Sequence, residues 1–107
     1  MRLTSYLQDG DLTIALTGEI DHHCAKEHIM TIGAKLEAYN PHTCNLDFRD
    51  VTFMDSSGIA VVINTLRMMH RQQGKLTVCG LKDQPLKVFR ASGIDKLVQW
   101  KENSDEI

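Results

Sequence analysis

Residues 44–69 read CNLDFRDVTFMDSSGIAVVINTLRMM, and this stretch carries the signals of a strand, a polar turn and a helix in direct succession. Apolar residues first alternate with polar ones, as is typical of a half-buried strand, at Cys44, Leu46 and Phe48. After the turn they recur at helical spacing, at Ile59, Val62, Ile63, Leu66 and Met69. Because aspartate and serine cap helix N-termini, FMDSSG at residues 53–58 predicts a strand that runs directly into a helix.

Two strands and one helix are predicted before this unit. Asp9-Gly10 is a typical hairpin turn, and it joins a strand near residues 2–7 to an alternating strand that starts near residue 12. A helical pattern then follows Asp21 and stops at Asn40-Pro41. The apolar residues of that pattern are Ala25, Ile29, Ile32, Leu36 and Tyr39.

The remaining chain alternates in the same way. Gly74 is a suitable C-cap for the central helix, and a short strand around residues 76–78 follows it. A further helix begins near Pro85 and closes at Ser92-Gly93, before a last strand at residues 98–100. Helical crossovers imply parallel strands and the opening hairpin implies one antiparallel pair. The sequence therefore predicts an α/β fold with a mixed sheet of four to five strands, packed with about three to five helices.

Composition narrows the class of protein. A chain of 107 residues, 42% apolar and 24% charged, fits one globular domain. No apolar run is long enough for a membrane span or a secretory signal, so we expect a cytoplasmic protein without a membrane partner. Three cysteines without a CxxC pair are expected to be buried free thiols, at Cys24, Cys44 and Cys79.

Charge is distributed unevenly along the chain. Residues 1–55 carry four Lys/Arg and nine Asp/Glu, whereas residues 56–100 carry seven and two. The basic side chains of Arg67, Arg71 and Lys75 lie toward one helix end without interleaved aromatic residues, which favours a solvated helix end over direct nucleic-acid binding. The acidic first half suits a basic partner surface.

Three kinds of catalytic or ligand site are disfavoured by spacing. GEIDHHC at 18–24, with His28 beyond it, contains metal-ligand types, but adjacent helical residues such as His22 and His23 point about 100° apart. A nucleophile elbow needs glycine two residues before its serine, where Ser56 and Ser57 have Met54 and Asp55. Neither GxxxxGK[ST] nor GxGxxG occurs. We expect no metal and no cofactor, although an enzyme built on His22, His23, Cys24 and Ser56 remains the alternative from another class.

Covalent modification of a serine at the start of the helix is the remaining possibility. A phosphate there would carry about −1.5 to −2 charges and would meet free N–H groups of the first turn. The helix end attracts this charge and Asp55 repels it, so the fold should survive. A partner surface packed over the serine should not, because an unpaired buried dianion is costly.

Four segments together resemble the STAS domain of bacterial anti-sigma factor antagonists, particularly the stage II sporulation type. They are GEIDHHCA at 18–25, FMDSSGIAV at 53–61, VCGL at 78–81 and PLKVFRASGIDKL at 85–97. The resemblance implies a single STAS-like domain over residues 1–100, followed by a polar C-terminal tail at residues 101–107.

The resemblance also implies a function without catalysis. Such antagonists bind an anti-sigma factor that is also an ATP-dependent serine kinase, and they thereby release the sigma factor. Phosphorylation ends this binding, and a PP2C-type serine phosphatase restores it. A STAS subunit of another stress-signalling complex, either a stressosome-type scaffold or a general stress antagonist, is the alternative within the fold.

Residue by residue, the resemblance implies phosphorylation at Ser56 and places Asp21 in a loop close to it. The residues then expected to bind the partner are Glu19, Asp21, His22, Met54, Asp55, Ser57, Gly58, Ile59 and Leu81.

Overall fold

A computed structural model of the protein describes residues 2–102. Within this range five strands form one sheet, β1 Leu3–Gln8, β2 Asp11–Ile20, β3 Thr43–Met54, β4 Lys75–Cys79 and β5 Gln99–Trp100. Three α-helices connect the last four strands, α1 His22–Tyr39, α2 Ser56–Arg71 and α3 Asp83–Ser92, and a 3₁₀ turn, Ile94–Lys96, precedes β5. This is the predicted order of elements.

The sheet is mixed, and its strands lie in chain order from β1 to β5. The pair β1–β2 is antiparallel, and every later neighbour pair is parallel. Parallel crossovers are right-handed. Because the parallel strands always advance in one direction, such crossovers place α1, α2 and α3 on the same face. The predicted α/β architecture is confirmed, and the described sheet has no reversal of strand order among its parallel strands, the place where open α/β folds usually bind ligands.

The hairpin between β1 and β2 fixes which backbone groups of β1 face its neighbour. Asp9 and Gly10 have φ values of 54° and 84°, as a type I′ turn requires, and Gln8 pairs with Asp11. Antiparallel residues alternate between hydrogen-bonded and non-hydrogen-bonded pairs. The Thr17 N–H donates to the Arg2 carbonyl oxygen at 2.9 Å, which shows that the even-numbered residues of β1 hydrogen-bond to β2.

The core lies between the sheet and its helices. Alternate residues of the two central strands are fully buried there, at Leu12, Ile14, Leu16, Cys44, Leu46 and Phe48. The opposite face is polar and partly open, and on it Thr77 donates to the Asn45 side-chain oxygen at 2.8 Å.

All three cysteines are free thiols, but only Cys44 and Cys79 are buried, whereas Cys24 is half-buried. Burial raises the pKa of the Cys44 thiol to about 12 and also raises that of Cys79. Both buried thiols therefore stay protonated near neutral pH.

The predicted caps are confirmed at α1, but the predicted C-cap of α2 is wrong. Asp21 caps α1 and Asn40, in the left-handed region, ends it. The C-cap of α2 is Gln72, and the left-handed residue after it is Gln73, with φ of 61°, so the prediction that Gly74 is the C-cap was wrong by two residues. The Gly74 N–H instead bonds to the Met69 carbonyl oxygen at 2.8 Å. A Cβ on Gly74 would lie 2.8 Å from the backbone carbonyl oxygen of His42, which cannot easily move aside, so packing requires this glycine.

The predicted tail begins in contact with the domain. Lys101 donates its N–H to the Val78 carbonyl oxygen at 3.0 Å, and Arg90 and Glu102 form an exposed ion pair at 3.3 Å. The rest of the predicted tail, residues 103–107, lies outside the described residues.

Candidate functional site

The starts of α1 and α2 lie side by side. Ile20 and Met54, the last residues of β2 and β3, are partners in the sheet register. The next residue in each case caps a helix, Asp21 for α1 and Asp55 for α2. The Asp55 N–H donates to the Ile20 carbonyl oxygen at 3.2 Å and joins the two loops. Two helix N-termini, each with partial positive charge, therefore meet at the carboxyl ends of β2 and β3.

Asp21 is held ionised by the first turn of α1. Its carboxylate accepts hydrogen bonds from the N–H groups of His23 at 2.9 Å and Cys24 at 3.3 Å. Desolvation acts to raise the pKa of Asp21, but these hydrogen bonds and the charge of His23 outweigh it, so that pKa lies below its ordinary value. The cap thus places a stable negative charge at the start of α1.

Asp55 forms a matching cap with one short bond, since its carboxylate accepts from the Ser57 N–H at 2.7 Å. Ser56 is the first residue of α2 and is exposed, whereas Ser57 is half-buried. Across residues 2–102, none of the hydrogen bonds found engages the Ser56 hydroxyl. Of the two serines, Ser56 therefore offers the more accessible hydroxyl to another protein.

Four of the expected contact residues lie beneath the surface. Met54 and Leu81 have no exposed area, Ile59 is 7% exposed, and Gly58 is buried. A Cβ on Gly58 would lie 2.6 Å from the Met54 sulfur, so this glycine lets the first turn of α2 pack against the end of β3. These four residues support the site from within, and only its other members expose area that another protein could contact.

The exposed residues at these strand ends and helix starts are called here the cap surface. It consists of Glu19, Asp21, His22, Phe53, Asp55, Ser56 and Ser57, all exposed or partly exposed. The surface combines three carboxylates with one large apolar side chain. Charge and apolar area of this kind suit a protein partner that presents basic and apolar groups.

Phe53 is a member of the cap surface that sequence reasoning missed. It is 42% exposed, pairs with Glu19 across β2 and β3, and precedes Ser56 by three residues. The signal in the sequence was weak, because an aromatic residue in a strand is ordinarily a core residue. The structure shows that Met54 faces the core, so Phe53, the residue before it on the strand, faces outward.

Gln84 supports the site and was also missed. β4 pairs with β3 only up to Asp47, so within the described sheet the later part of β3 has no strand on that side. The Gln84 side chain takes the place of a strand there. Its oxygen accepts from the Met54 N–H at 2.9 Å, and its nitrogen donates to the Met54 carbonyl oxygen at 2.8 Å. No periodicity or motif marks a glutamine in the first turn of α3 for this role.

The metal-ligand types of the DHH segment do not converge. The rings of His22 and His23 lie 4.0 Å apart, and the Cys24 thiol donates to the Glu19 carbonyl oxygen at 3.4 Å. No group of three histidine, cysteine or acidic side chains placed to hold an ion is found among residues 2–102. His28 is buried, and burial together with the charge of Arg2 lowers its pKa against the opposing effect of Glu27.

The opposite end of α2 is basic. Arg67, Arg71 and Lys75 are exposed there, about 20 Å along the helix axis from Ser56. In the part of the chain covered by the structure, no helix has both the length and the apolar character needed to cross a membrane.

Comparison with known proteins shows which family the chain matches. A family model described as the STAS domain matches residues 2–107. The chain is 26% identical over 94 residues to the anti-sigma F factor antagonist of Paenibacillus polymyxa, covering 88% of this chain and 80% of that protein. It is 25% identical over 103 residues to the anti-sigma-B factor antagonist of Bacillus subtilis strain 168, covering 91% and 87%.

Two of the matching solved structures, both named SpoIIAA, differ in phosphorylation state. The unphosphorylated form of the anti-sigma factor antagonist SpoIIAA superposes with a TM-score of 0.73 at 19% identity, covering 95% of this chain and 88% of that one. The phosphorylated form of the Bacillus cell fate determinant SpoIIAA gives 0.71 at 24% identity, covering 92% and 89%. At these identities the likeness concerns the fold.

Proposed function

The chain belongs to the STAS-domain family, and on that premise we propose that it is an anti-sigma factor antagonist without catalytic activity. Its unphosphorylated form binds an anti-sigma factor that is also an ATP-dependent serine kinase, and the bound sigma factor is released. The names of relatives from two signalling systems, anti-sigma F and anti-sigma-B factor antagonists, support this proposal. The sporulation role is the first choice because the DHH and FMDSSG segments resemble that type.

The observation that carries the proposal is the exposed Ser56 hydroxyl at the first position of α2, inside the cap surface. A kinase must reach the hydroxyl that it phosphorylates. Ser57 is half-buried, so its hydroxyl is the less accessible acceptor. Ser56 is therefore the proposed phosphorylation site, and a PP2C-type phosphatase would return it to the free hydroxyl.

Phosphorylation at Ser56 should leave the fold intact. The start of α2 favours the added charge by about 0.3–1 kcal/mol. Asp55, one residue away, opposes it by about 1–4 kcal/mol per unit charge at surface dielectrics. These contributions are partly offsetting, and the phosphate stays in water because Ser56 is exposed.

Phosphorylation should nevertheless end partner binding. Binding over the cap surface would remove Ser56 from water together with Asp21 and Asp55, and a dianion buried beside two carboxylates lacks a matching cation. A loss of about 3 kcal/mol corresponds to more than a hundredfold in affinity. Asp21 and Asp55 are the negative groups that a basic partner surface would pair with in the unphosphorylated chain, which leaves no cation for the added phosphate.

Mapping the phosphate tests the switch. Incubation with the cognate kinase and ATP should give one phosphate per chain, located at Ser56 by tandem mass spectrometry. The Ser57→Ala variant is the matched control and should still be labelled, whereas Ser56→Ala should not. Label on Ser57 alone, or no label on the unmodified sequence, would contradict the assignment of the acceptor.

Binding measurements test the charge mechanism separately. We expect Ser56→Asp to weaken capture of the kinase by about tenfold or more, because it adds one charge where phosphate adds nearly two. Ser56→Ala should bind within about threefold of the unmodified chain, because the change in side-chain volume is small. Equal affinities of the two variants by isothermal titration calorimetry would count against the mechanism.

A second candidate function, a general stress antagonist or stressosome-type subunit, is favoured by one observation. The identity to an anti-sigma-B factor antagonist, 25%, is almost that to an anti-sigma F factor antagonist, 26%. Affinity capture from the native host distinguishes them. A small kinase together with a sporulation sigma factor supports the first candidate, and a large assembly of related STAS proteins supports the second.

A further inference from the structure

The strand β1 forms an unprotected edge of the sheet. It pairs with β2 on one side, and in the described sheet no strand lies on its other side. Natural edge strands are usually protected by a charge, a proline or a bulge. The segment LTSYLQ contains no charged residue and no proline, and its register with β2 is regular. An edge of this kind is suited to pairing with another strand.

The direction of the free backbone groups follows from the hairpin. Even-numbered residues of β1 bond to β2, as the Arg2–Thr17 bond at 2.9 Å shows. The N–H and C=O groups of Leu3, Ser5 and Leu7 therefore point away from β2. Three consecutive donor–acceptor pairs thus face outward in one row.

This row is complementary to itself. A two-fold axis normal to the sheet, passing beside Ser5 midway between the two strands, would place a second β1 antiparallel to the first, with Ser5 opposite its own copy and Leu3 opposite Leu7. All of these opposed residues carry outward groups, so each N–H meets a C=O and six hydrogen bonds can form. A register shifted by one residue would oppose side chains of different faces and is excluded.

The exposed apolar side chains of β1 fit the same register. Leu7 lies on the helix-bearing face and is 45% exposed, and in the pair it would contact Leu3 of the second copy. Tyr6 lies on the open face and is 62% exposed, and there it would cover Thr4 of the second copy. Cross-strand pairs of these types stabilise antiparallel sheets.

We propose that β1 is a self-association edge, through which two copies of this chain join antiparallel about Ser5 into one continuous sheet. The interface is isologous and closes with two copies. One strand pair buries less area than a standard stable interface. The dimer is therefore weak, with a dissociation constant that is roughly micromolar or higher. The proposal does not depend on the function of the cap surface, since β1 contributes no residue to it.

Proline substitutions test the direction of the backbone groups. Ser5→Pro removes an outward N–H, which an edge strand tolerates, so the monomer should fold and self-association should weaken by about tenfold or more. Thr4→Pro is the matched control. It removes an N–H bonded to β2 and should lower the midpoint of thermal unfolding markedly more than Ser5→Pro. Equal thermal effects of the two prolines would overturn the assigned direction.

Sedimentation velocity over a concentration series measures the association itself. The unmodified chain should move from monomer to dimer, and Leu7→Lys, which places a charge on the edge, should stay monomeric with an unchanged midpoint of thermal unfolding. Tyr39→Lys, which changes an apolar side chain exposed elsewhere, should dimerise normally. A chain that stays monomeric at about millimolar concentration, where even weak contacts of this size associate, overturns the proposal. A dimer unaffected by both Ser5→Pro and Leu7→Lys does so as well.

Discussion

The starts of α1 and α2 are two versions of one local structure that differ in what lies beneath them. Each helix follows a parallel strand through a single capping aspartate. The third helical residue is Cys24 in α1 and Gly58 in α2. Cys24 is half-buried and bonds to a nearby carbonyl oxygen, whereas Gly58 is pressed against Met54. The start of α2 therefore presents the exposed Ser56 hydroxyl on a closely packed first turn, whereas the first turn of α1 is packed less closely.

The largest expected difference between the two starts is in the stability lost when the third helical residue is changed to alanine. Gly58→Ala would place its Cβ 2.6 Å from the Met54 sulfur and 3.0 Å from the Met54 Cβ. Overpacking costs about 1–3 kcal/mol, which exceeds the roughly 1 kcal/mol by which alanine favours a helix. We expect a net loss of up to about 2 kcal/mol in the free energy of unfolding, measured with urea. Cys24→Ala should change it by less than about 1 kcal/mol.

A double-mutant cycle isolates the contact responsible. In a Met54→Ala background the added methyl group enters space left by the methionine, so Gly58→Ala should cost less than in the unmodified chain. If the cost of Gly58→Ala were the same in both backgrounds, Met54 would not be the cause. If Gly58→Ala were as mild as Cys24→Ala, the two starts would not differ in packing.

This glycine also shows how far the sequence predicts the site. DSSG located the start of the helix correctly because capping chemistry is local. It did not reveal that Gly58 is buried, because the neighbour that excludes a side chain is fixed only when α2 lies on β3. The same limit applies to Met54 and Leu81, which the family resemblance placed at the partner interface and which have no exposed area.

The fold was more predictable than the site because apolar periodicity reports burial directly. The pattern from Ala25 to Leu36 is buried at its main positions, as predicted, but Tyr39 at its end is 49% exposed. His28 is buried although a histidine carries no apolar signal. Local periodicity cannot register where a helix extends beyond the sheet, nor which polar residue the core encloses.

A second prediction concerns the residue before each cap. The Ile20 carbonyl oxygen is bonded by the Asp55 N–H, whereas both backbone groups of Met54 are bonded by Gln84. Gln84→Ala leaves a partly buried N–H and C=O without these partners, so we expect a loss of about 1–2 kcal/mol in the free energy of unfolding. Amide hydrogen exchange at Met54 should accelerate, because the acceptor of that N–H is removed.

Lys87→Ala is the matched control for Gln84→Ala, since Lys87 lies on the same helix and is exposed. It should change the unfolding free energy by less than about 0.5 kcal/mol and leave the exchange of the Met54 amide unchanged. Unaltered exchange at Met54 in Gln84→Ala would show that the side chain does not replace the missing strand.

The smallest expected effect concerns the charge of the α1 cap. The pKa of Asp21 is lowered in the folded chain, so its ionisation contributes stability that is fully present above the unfolded pKa of about 3.9. That contribution is lost as pH falls through the lower folded pKa. Asn caps helices as well as Asp but does not titrate there. Asp21→Asn should therefore be nearly as stable as the unmodified chain at pH 7 and lose less stability in acid. The free energy of unfolding is measured with urea at several pH values from 5 to 2. If both chains lost the same amount of it over this range, the hydrogen bonds of Asp21 would act on the helix without depending on its charge.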